Sequence, residues 1–250
     1  MNHFALPDFK YEKKLWKRRY GIVAGLDEVG RGSFAGPVVA AACAFAPASS
    51  RGSSTLLGPE LPKDSASAVG TRQSRRDSMI IINDSKKLNP RQREIAANWI
   101  IKNSLTWGIG EASVGLINRI GIGKATATAF RKAISDANVR LKTQDLKQID
   151  YLLIDAFYVP YVRGLRRKNQ KPIINGDEKS ISIAAASIIA KVYRDKLMAS
   201  LGQKPKYKKY NWEKNKGYGT LEHREAIKKY GITKLHRKVF VKRSCENIMG

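Results

Sequence analysis

The chain has 250 residues, 42% of them hydrophobic, which suffices for one sizeable core in a single domain with a terminal elaboration. Its 47 lysines and arginines outnumber 21 acidic residues, and the net charge of +26 favours a polyanionic partner. The apolar runs are too short to span a bilayer, and the charged N-terminus is unlike a secretory signal. We therefore expect a cytoplasmic protein without membrane association.

Two apolar runs near the start predict a pair of strands joined by a glycine-rich turn. The first run, residues 20–26, ends directly before Asp27, and the second, residues 38–45, follows Gly36 and Pro37. The connection between them is too short for a crossover helix, so we expect a sheet of mixed strand direction.

Residues 46–77 differ in composition from the rest of the chain. Serine, glycine, proline and arginine dominate, and neither a helical nor a strand period is visible. This composition is typical of a long surface insertion, which we expect to be flexible and to carry no catalytic residue.

Helices and strands alternate after the insertion. Asn89, followed by a proline, is the candidate cap of one helix, and residues 124–139 predict another. Strands are predicted at residues 105–114 and 151–154. This alternation favours an α/β layer structure.

The C-terminal part predicts two further helices. Ser182 is the candidate cap of a long helix whose small and apolar face requires close packing. In the tail, residues 221–230 predict one clear helix among basic and aromatic residues.

Three aspartates share a position at the end of a short apolar run. Asp27 and Asp155 each end a predicted strand, and Asp177 follows Ile173 and Ile174. Ligands at the ends of adjacent strands converge, although each acid taken singly is better explained as a loop carboxylate or a helix cap. The combination is what favours a shared site.

Glu28 directly follows Asp27 and adds a fourth carboxylate. Adjacent residues of a regular strand point to opposite faces, so both can face one site only if the chain bends, which Gly30 and Gly32 allow. Four carboxylates repel one another, and divalent cations relieve that repulsion. Oxygen-only ligands select Mg²⁺ or Mn²⁺, and a pair of such ions about 4 Å apart suits in-line attack on a phosphodiester.

Five motifs in order resemble the ribonuclease HII family, the type 2 ribonucleases H, from about residue 20 to 240 outside the insertion. They are DEVGRG at 27–32, NDSKKL at 83–88, LLIDAF at 152–157, GDEKSISIAAASIIAKVYRD at 176–195 and KGYGTLEH at 216–223. The resemblance implies a ribonuclease H-like fold. Residues 1–200 would form a mixed β-sheet flanked by helices, and residues 201–250 a C-terminal helical extension that binds substrate.

The resemblance also implies an activity and its residues. The active-site acids would be Asp27, Glu28, Asp155 and Asp177, the first three as the firmest ligands of two Mg²⁺ or Mn²⁺ ions. The expected activity is endonucleolytic, on the RNA strand of RNA/DNA hybrids and 5′ to ribonucleotides embedded in duplex DNA, leaving 3′-hydroxyl and 5′-phosphate ends. Ala156 stands where the family more often has glycine, and Asp195 is interpreted as structural or as a residue that supports the metal ligands.

Cutting RNA but not DNA requires a contact that detects the 2′-hydroxyl. The glycine-rich turn of Gly30, Arg31 and Gly32 can approach a sugar closely, and Arg31 can also hold a phosphate. In the resembled family this turn acts with the tyrosine of the KGY motif. That residue is Tyr218 here, and it would stack on the sugar at the RNA-to-DNA junction.

Basic residues are the candidate phosphate contacts. Lys86 and Lys87 are expected to bind backbone phosphates, although a solvated pair before a helix is an equally good explanation. In the tail, lysines interleave with Tyr207, Tyr210 and Trp212, a pattern suited to tracking a duplex backbone. We expect a monomer whose partner is nucleic acid.

Several other signals are set aside. GIGKAT at residues 121–126 lacks the glycine and the hydroxyl residue of a phosphate loop, which argues against nucleotide hydrolysis. Cys43 and Cys245 are far apart and indicate neither a disulfide framework nor a zinc site. The histidines, His223 and His236 among them, are scattered and predict surface or capping positions, with His223 expected to help order the segment after Tyr218.

Two alternatives remain open from the sequence. One is a basic nucleic-acid-binding protein without turnover. The other is a different two-metal nuclease or strand-transfer enzyme of the same fold class, which would also cut all-DNA duplexes.

Overall fold

A computed structural model of the protein describes residues 6–47 and 82–246. The predicted insertion at residues 46–77 lies outside the described residues from residue 48 onward, so its expected flexibility stays a prediction. His3 also lies outside them.

Within the described residues, five strands form one mixed sheet. They are β1 Val23–Val29, β2 Val38–Ala44, β3 Thr106–Ala112, β4 Tyr151–Asp155 and β5 Gln170–Ile173. Their order across the sheet is β3-β2-β1-β4-β5. The β1–β2 and β2–β3 pairs are antiparallel, whereas β1–β4 and β4–β5 are parallel. The predicted α/β fold with mixed strand directions is confirmed.

The described helices cover both faces of this sheet and build the C-terminal part. They are α1 Lys10–Trp16, α2 Pro90–Asn103, α3 Val114–Ile120, α4 Ile122–Lys142, α5 Ile181–Gln203, α6 Pro205–Lys208, α7 Trp212–Asn215, α8 Leu221–Tyr230 and α9 Lys238–Glu246. One core cluster joins α4 to one face of the sheet, and a second joins α2 and α5 to the other. All seven residues of β2 are buried because helices lie on both sides of it.

The elements that the sequence did not predict are α1, α3, β5 and the tail helices α6, α7 and α9. Strand β5 has the sequence QKPI, which contains no apolar run, and it forms because it pairs in parallel with β4. Helix α3 is only seven residues long, with Ser113 as its cap, and it directly precedes α4. Short elements of this kind depend on tertiary contacts more than on their own periodicity.

The cap of α5 is Ser180, and the prediction of Ser182 was wrong. The Ser180 hydroxyl oxygen accepts a hydrogen bond from the Ile183 backbone N–H at 3.3 Å, and Ser182 lies buried inside the helix. The Glu12 carboxylate of α1 accepts hydrogen bonds from the Ser180 hydroxyl at 2.6 Å and from the Ser182 backbone N–H at 3.0 Å. The predicted cap of α2 is confirmed, since Asn89 and Gln92 form a capping box.

The C-terminal aromatics form a core and not a stacking surface. Tyr207, Tyr210 and Trp212 are 6%, 1% and 0% exposed, and the Trp212 ring stacks on both tyrosines. These rings are therefore not exposed to a duplex, because the short helices α6 and α7 need them to pack against α5 and α8, and the expected contacts of the interleaved lysines stay a prediction. His223 and His236 are also buried, which corrects their predicted surface positions.

No helix in residues 6–47 and 82–246 is long and apolar enough to cross a membrane.

Replacing the true cap should destabilise the protein. Because Ser180 caps α5 and also bonds to Glu12, we expect Ser180→Ala to lower the free energy of unfolding by about 1 to 2 kcal/mol. Ser182→Ala is the matched control, since it leaves the cap intact, and it should cost less than half as much. Urea unfolding followed by circular dichroism measures both, and equal losses would contradict the assignment of Ser180 as the cap.

Candidate active site

Asp27 and Glu28 lie within β1, not after it as the sequence predicted. The strand continues to Val29 because its antiparallel pairing with β2 continues, with Asp27 opposite Ala41 and Val29 opposite Val39. Asp27 is buried, and Glu28 is half-buried.

Asp155 lies beside Asp27 because of the parallel pairing of two neighbouring strands. The last paired residues are Leu26 of β1 and Ile154 of β4, and one aspartate follows each of them. Since the two strands run in the same direction, the two side chains leave the sheet at the same edge. The predicted meeting of these two strand ends therefore has a simple geometric cause.

Asp177 reaches the same place from a turn and not from a strand end. Strand β5 ends at Ile173, the chain turns through Asn175 at a φ of 53°, and Asp177 lies in a short 3₁₀ helix before α5. The turn is held to β4 because the Asp155 Oδ1 atom accepts a hydrogen bond from the Gly176 backbone N–H at 2.8 Å.

The four carboxylates act on one another electrostatically. Burial raises the pKa of Asp27 well above its usual range, and the Glu28 carboxylate raises it further. Asp155 and Asp177 shift it in the same direction. Burial also raises the pKa of Glu28, although the guanidinium of Arg31, 3.5 Å from the Glu28 Oε1 atom, opposes that shift.

Asp84 is a fifth acid of this cluster, and it was not predicted from the sequence. It is 7% exposed, and its Oδ1 atom accepts a hydrogen bond from the Lys86 backbone N–H at 2.9 Å. Burial, then Asp84 and then Asp155, raise the pKa of Asp177 to about 6. The NDSKKL motif contained the signal, but its lysines alone were considered.

The two lysines of that motif have different surroundings. Burial disfavours the charged Lys86 ammonium, but Asp84 and Asp177, with smaller contributions from Asp27 and Asp155, outweigh this effect and raise its pKa. Its neighbour Lys87 is exposed and forms an ion pair with Glu178 at 2.6 Å. Lys86 is also exposed, so its expected contact with a phosphate stays a prediction.

The donor set suits a hard divalent cation. All of the candidate ligands are carboxylate oxygens, and the mutual repulsion of these groups is what a divalent cation would relieve. In the part of the chain that the structure describes, however, no group of three Asp, Glu, His or Cys side chains has the positions needed to bind one metal ion. Two of the oxygens instead accept backbone hydrogen bonds, from Glu28 to Asp27 and from Gly176 to Asp155.

The glycine-rich turn follows β1 directly, beside these acids. Gly30 has a φ of +85°, and a Cβ atom there would lie 2.0 Å from the Arg194 side chain, so this position requires glycine. A Cβ atom at Gly32 would meet nothing within 4 Å, so this side of the turn is open. Between them, Arg31 pairs with Glu28 and lies 4.9 Å from the centre of the Phe157 ring.

Arg194 joins this turn to the turn that carries Tyr218. Its buried guanidinium donates hydrogen bonds to the Ser33 hydroxyl and to the backbone carbonyls of Ala35, Pro37 and Lys216, at 2.9 to 3.1 Å. The half-buried Tyr218 ring lies above it, with the guanidinium carbon 5.3 Å from the ring centre. The neighbouring Asp195, which was singled out from the sequence, pairs with Lys191 on α5, whereas Arg194 was not predicted.

Comparison with known proteins decides the family. The family model described as "Ribonuclease HII" matches residues 66–247, which is more than half of the chain. The chain is 41% identical over 233 residues to the ribonuclease HII of Caldanaerobacter subterraneus, covering 93% of this chain and 79% of that protein. It is 43% identical over 235 residues to that of Wolbachia pipientis from Culex pipiens, covering 94% and 95%.

The chain belongs to the ribonuclease HII family. It is therefore a nuclease of the ribonuclease H type. This establishes the resemblance drawn from the five motifs.

Solved structures share the fold of this ribonuclease HII family member. Ribonuclease H2 from Pyrococcus horikoshii OT3 superimposes with a TM-score of 0.58 at 20% identity, covering 89% of this chain and 96% of that one. Bst-RNase HIII in complex with Mn²⁺ gives a TM-score of 0.63 at 17% identity, covering 91% and 70%. At these identities the likeness confirms the ribonuclease H-like architecture.

Ala156, the departure from the family pattern, has an unusual backbone. Its φ is +66°, in the left-handed region that glycine tolerates better than alanine. Its backbone N–H still donates to the Ile173 carbonyl at 3.0 Å, which keeps β4 next to β5. Alanine thus adopts the conformation for which glycine is better suited, and Asp155 keeps its place.

Removing the charge of Asp27 should stabilise the metal-free protein. Because this carboxylate is buried among other acids, we expect Asp27→Asn to raise the free energy of unfolding in chelator by about 1 kcal/mol. Glu225→Gln, on the exposed face of α8, is the control and should change it by less than about 0.5 kcal/mol. Thermal unfolding in EDTA measures both, and a loss of stability for Asp27→Asn would contradict the repulsion described above.

Proposed function

We propose that this chain is a monomeric, cytoplasmic endoribonuclease that cuts the RNA strand of RNA/DNA hybrids and cuts 5′ to ribonucleotides embedded in duplex DNA. The products would carry 3′-hydroxyl and 5′-phosphate ends. The observation that carries the proposal is the placement of the carboxylate cluster beside a glycine-rich turn that Arg194 joins to Tyr218.

We assign catalysis to Asp27, Glu28, Asp155 and Asp177. Asp27, Glu28 and Asp155 would hold two divalent ions, Mg²⁺ or Mn²⁺, with Asp177 completing the site. The bound ions supply Lewis-acid activation of the phosphodiester and charge stabilisation for in-line hydrolysis. Bst-RNase HIII, which shares the fold, was solved with Mn²⁺, and this supports the choice of cation.

The chain's own residues shape the site around that chemistry. Asp155 is held by the Gly176 backbone, and Asp27 by the backbone of Glu28, so the carboxylates start from defined positions. Lys86 lies within the electrostatic reach of four acids, and we assign it to a substrate phosphate near the cleavage point. Lys87 is proposed as a more distant phosphate contact, from its exposed position next to Glu178.

We assign recognition of the ribonucleotide to Gly30, Arg31, Gly32 and Tyr218. The open side at Gly32 leaves room for a sugar to approach the backbone, and a 2′-hydroxyl can both donate and accept a hydrogen bond there. Arg31 can exchange its contact with Glu28 for a phosphate. Tyr218 would then lie against the sugar of the next nucleotide.

A basic groove next to Tyr218 suits the backbone of the duplex. It has a volume of about 490 Å³ and lies between α2, α5 and the α7 region. Its basic lining residues are Arg93, Lys191, Lys196, Lys214 and Lys216, and its acidic ones are Glu94 and Asp195. Residues 201–250 would thus form the substrate-binding extension of a catalytic domain at residues 1–200, although α5 continues across that boundary to Gln203.

Cleavage assays test the proposed reaction. The substrates are a DNA duplex with one ribonucleotide, an all-DNA duplex and an RNA/DNA hybrid, each with Mg²⁺, Mn²⁺ or EDTA. We expect a metal-dependent cut 5′ to the ribonucleotide and no cut in all-DNA, with Asp27→Asn lowering the rate about a hundredfold or more.

The matched control is Asp145→Asn, because Asp145 lies in an exposed turn after α4. This variant should cut the substrates at the same rate as the parent protein. Binding without a cut in either metal would favour a binding protein without turnover. Cleavage of the all-DNA duplex would favour a different nuclease of the same fold class.

Salt dependence tests the basic groove. If about six to ten phosphate contacts form, affinity for the hybrid should fall steeply with salt, and Lys214→Ala should reduce the slope of log K against log[salt] by about one. Lys147→Ala is the control. Lys147 precedes β4, whereas Asp155 is the last residue of that strand, so the two lie at opposite ends of β4. Anisotropy titrations in EDTA measure the slopes, and equal slopes for parent and Lys214→Ala would remove this lysine from the interface.

A further inference from the structure

His223 and His236 form a buried pair beneath the turn that carries Tyr218. Their side chains are 0% and 1% exposed, and their Nε2 atoms are 3.2 Å apart. His223 lies in the first turn of α8, and His236 lies between α8 and α9. Neither residue has a role in the chemistry proposed above.

The hydrogen bonds around the pair determine which nitrogen carries each proton. The Thr233 backbone N–H donates to His236 Nδ1 at 2.8 Å, so the proton of His236 must be on Nε2. The indole N–H of Trp212 donates to His223 Nε2 at 3.0 Å, so the proton of His223 must be on Nδ1. That Nδ1 atom lies 2.8 Å from the carbonyl oxygen of Tyr218.

The pair therefore forms a chain of hydrogen bonds in which every donor points the same way, from the Thr233 N–H through His236 and His223 to the Tyr218 carbonyl. This requires both rings to be neutral, since a protonated His223 would direct an N–H at two donors. Burial lowers the pKa of His223, and burial followed by the neighbouring His223 lowers the pKa of His236 to about 4, which agrees with the geometry.

The turn that receives this hydrogen bond has a flexible sequence. Gly217, at a φ of +80°, precedes Tyr218, and Gly219 follows it. Because glycine has few steric limits, the sequence of the turn places little restriction on its backbone conformation. The Tyr218 carbonyl also accepts from the Thr220 N–H at 2.9 Å, while its own N–H donates to the Asn215 carbonyl at 2.9 Å. The main chain is thus held on both sides while the ring stays half exposed.

The other end of the pair is attached to the glycine-rich turn. His236 forms an antiparallel bridge with Ala35, and the Gly36 N–H donates to the Leu235 carbonyl at 2.9 Å. The next residue, Arg237, donates from its buried guanidinium to the Arg31 and Gly36 carbonyls at 2.8 and 2.9 Å. The histidine pair therefore links the two turns that we assign to ribonucleotide recognition.

We propose that His223, oriented by His236 and Trp212, is a positioning residue that fixes Tyr218 against the sugar and so sets the preference for a ribonucleotide at an RNA-to-DNA junction. This inference rests on the role proposed above for Tyr218. A core residue needed only for volume would not require a donor directed at that carbonyl.

Two substitutions at His223 separate positioning from packing. The amide of His223→Asn lies near the Nδ1 position and can still donate to the Tyr218 carbonyl. The amide of His223→Gln reaches the Nε2 position, where it meets Trp212 and His236, and the Tyr218 carbonyl then keeps only the Thr220 N–H as a donor. Both side chains are neutral, polar and smaller than imidazole.

The readout is the ratio of kcat/KM for a duplex with one ribonucleotide to kcat/KM for an RNA/DNA hybrid of the same length. We expect His223→Gln to lower this ratio about fivefold to tenfold, the worth of one intramolecular hydrogen bond, and His223→Asn to restore it to within about twofold of the parent. In a Tyr218→Ala background His223→Gln should change the ratio no further, because the two residues act as a unit. Thermal unfolding verifies that each variant is folded.

The outcomes distinguish this inference from the function on which it rests. If Tyr218→Ala lowers the ratio and His223→Gln does not, or if the Asn and Gln variants lower it equally, the positioning role is wrong and the proposed function stands. If Tyr218→Ala itself leaves the ratio unchanged, the assignment of Tyr218 to recognition is wrong and this inference falls with it, whereas the proposed cleavage reaction is tested separately by Asp27→Asn.

A second measurement needs no variant. Long-range ¹H–¹⁵N spectra of the protein labelled at histidine report which ring nitrogen is protonated. At neutral pH we expect His223 protonated on Nδ1 and His236 on Nε2. A proton on Nε2 of His223 would remove the donor that faces Tyr218 and would overturn the inference even if the Gln variant failed to fold.

Discussion

The parallel pairing of β1 with β4 is the constraint on which the candidate site depends. It aligns Leu26 with Ile154, so Asp27 and Asp155 must leave the sheet side by side. The hydrogen bond from the Gly176 backbone to Asp155 then brings the turn of Asp177 to the same edge. A cluster of like charges is thus assembled by backbone pairing, which is strong enough to oppose their repulsion.

Arg194 has a comparable role for recognition. A buried guanidinium is costly unless its donors are satisfied, and here three backbone carbonyls and one hydroxyl accept from it. Those acceptors come from two segments, residues 33–37 and Lys216, that are far apart in the chain. The requirement to satisfy one buried cation therefore fixes the distance between the two turns that we propose as the recognition site.

Stability and function are in opposition in this molecule. Buried carboxylates that raise one another's pKa values are unfavourable for folding. So is the burial of Arg194 and Arg237, whose hydrogen bonds go to backbone carbonyls and to the Ser33 hydroxyl. The favourable terms lie elsewhere, in the fully buried β2 and in the small-residue face of α5. The C-terminal aromatic core, whose residues the sequence placed in a basic segment suited to a duplex backbone, supports the Tyr218 turn from below.

The sequence by itself determined the fold class, most of the longer elements, and four acids that lie in one cluster, because apolar periodicity and five specific motifs are local properties. It could not find β5, Arg194 or Asp84 as a member of the cluster, since each has its place only through contacts with distant segments. It also misplaced the α5 cap and the exposure of Trp212 and His223. Tertiary structure decided these points because burial and hydrogen-bond partners are properties of packing, which a single segment of chain does not contain.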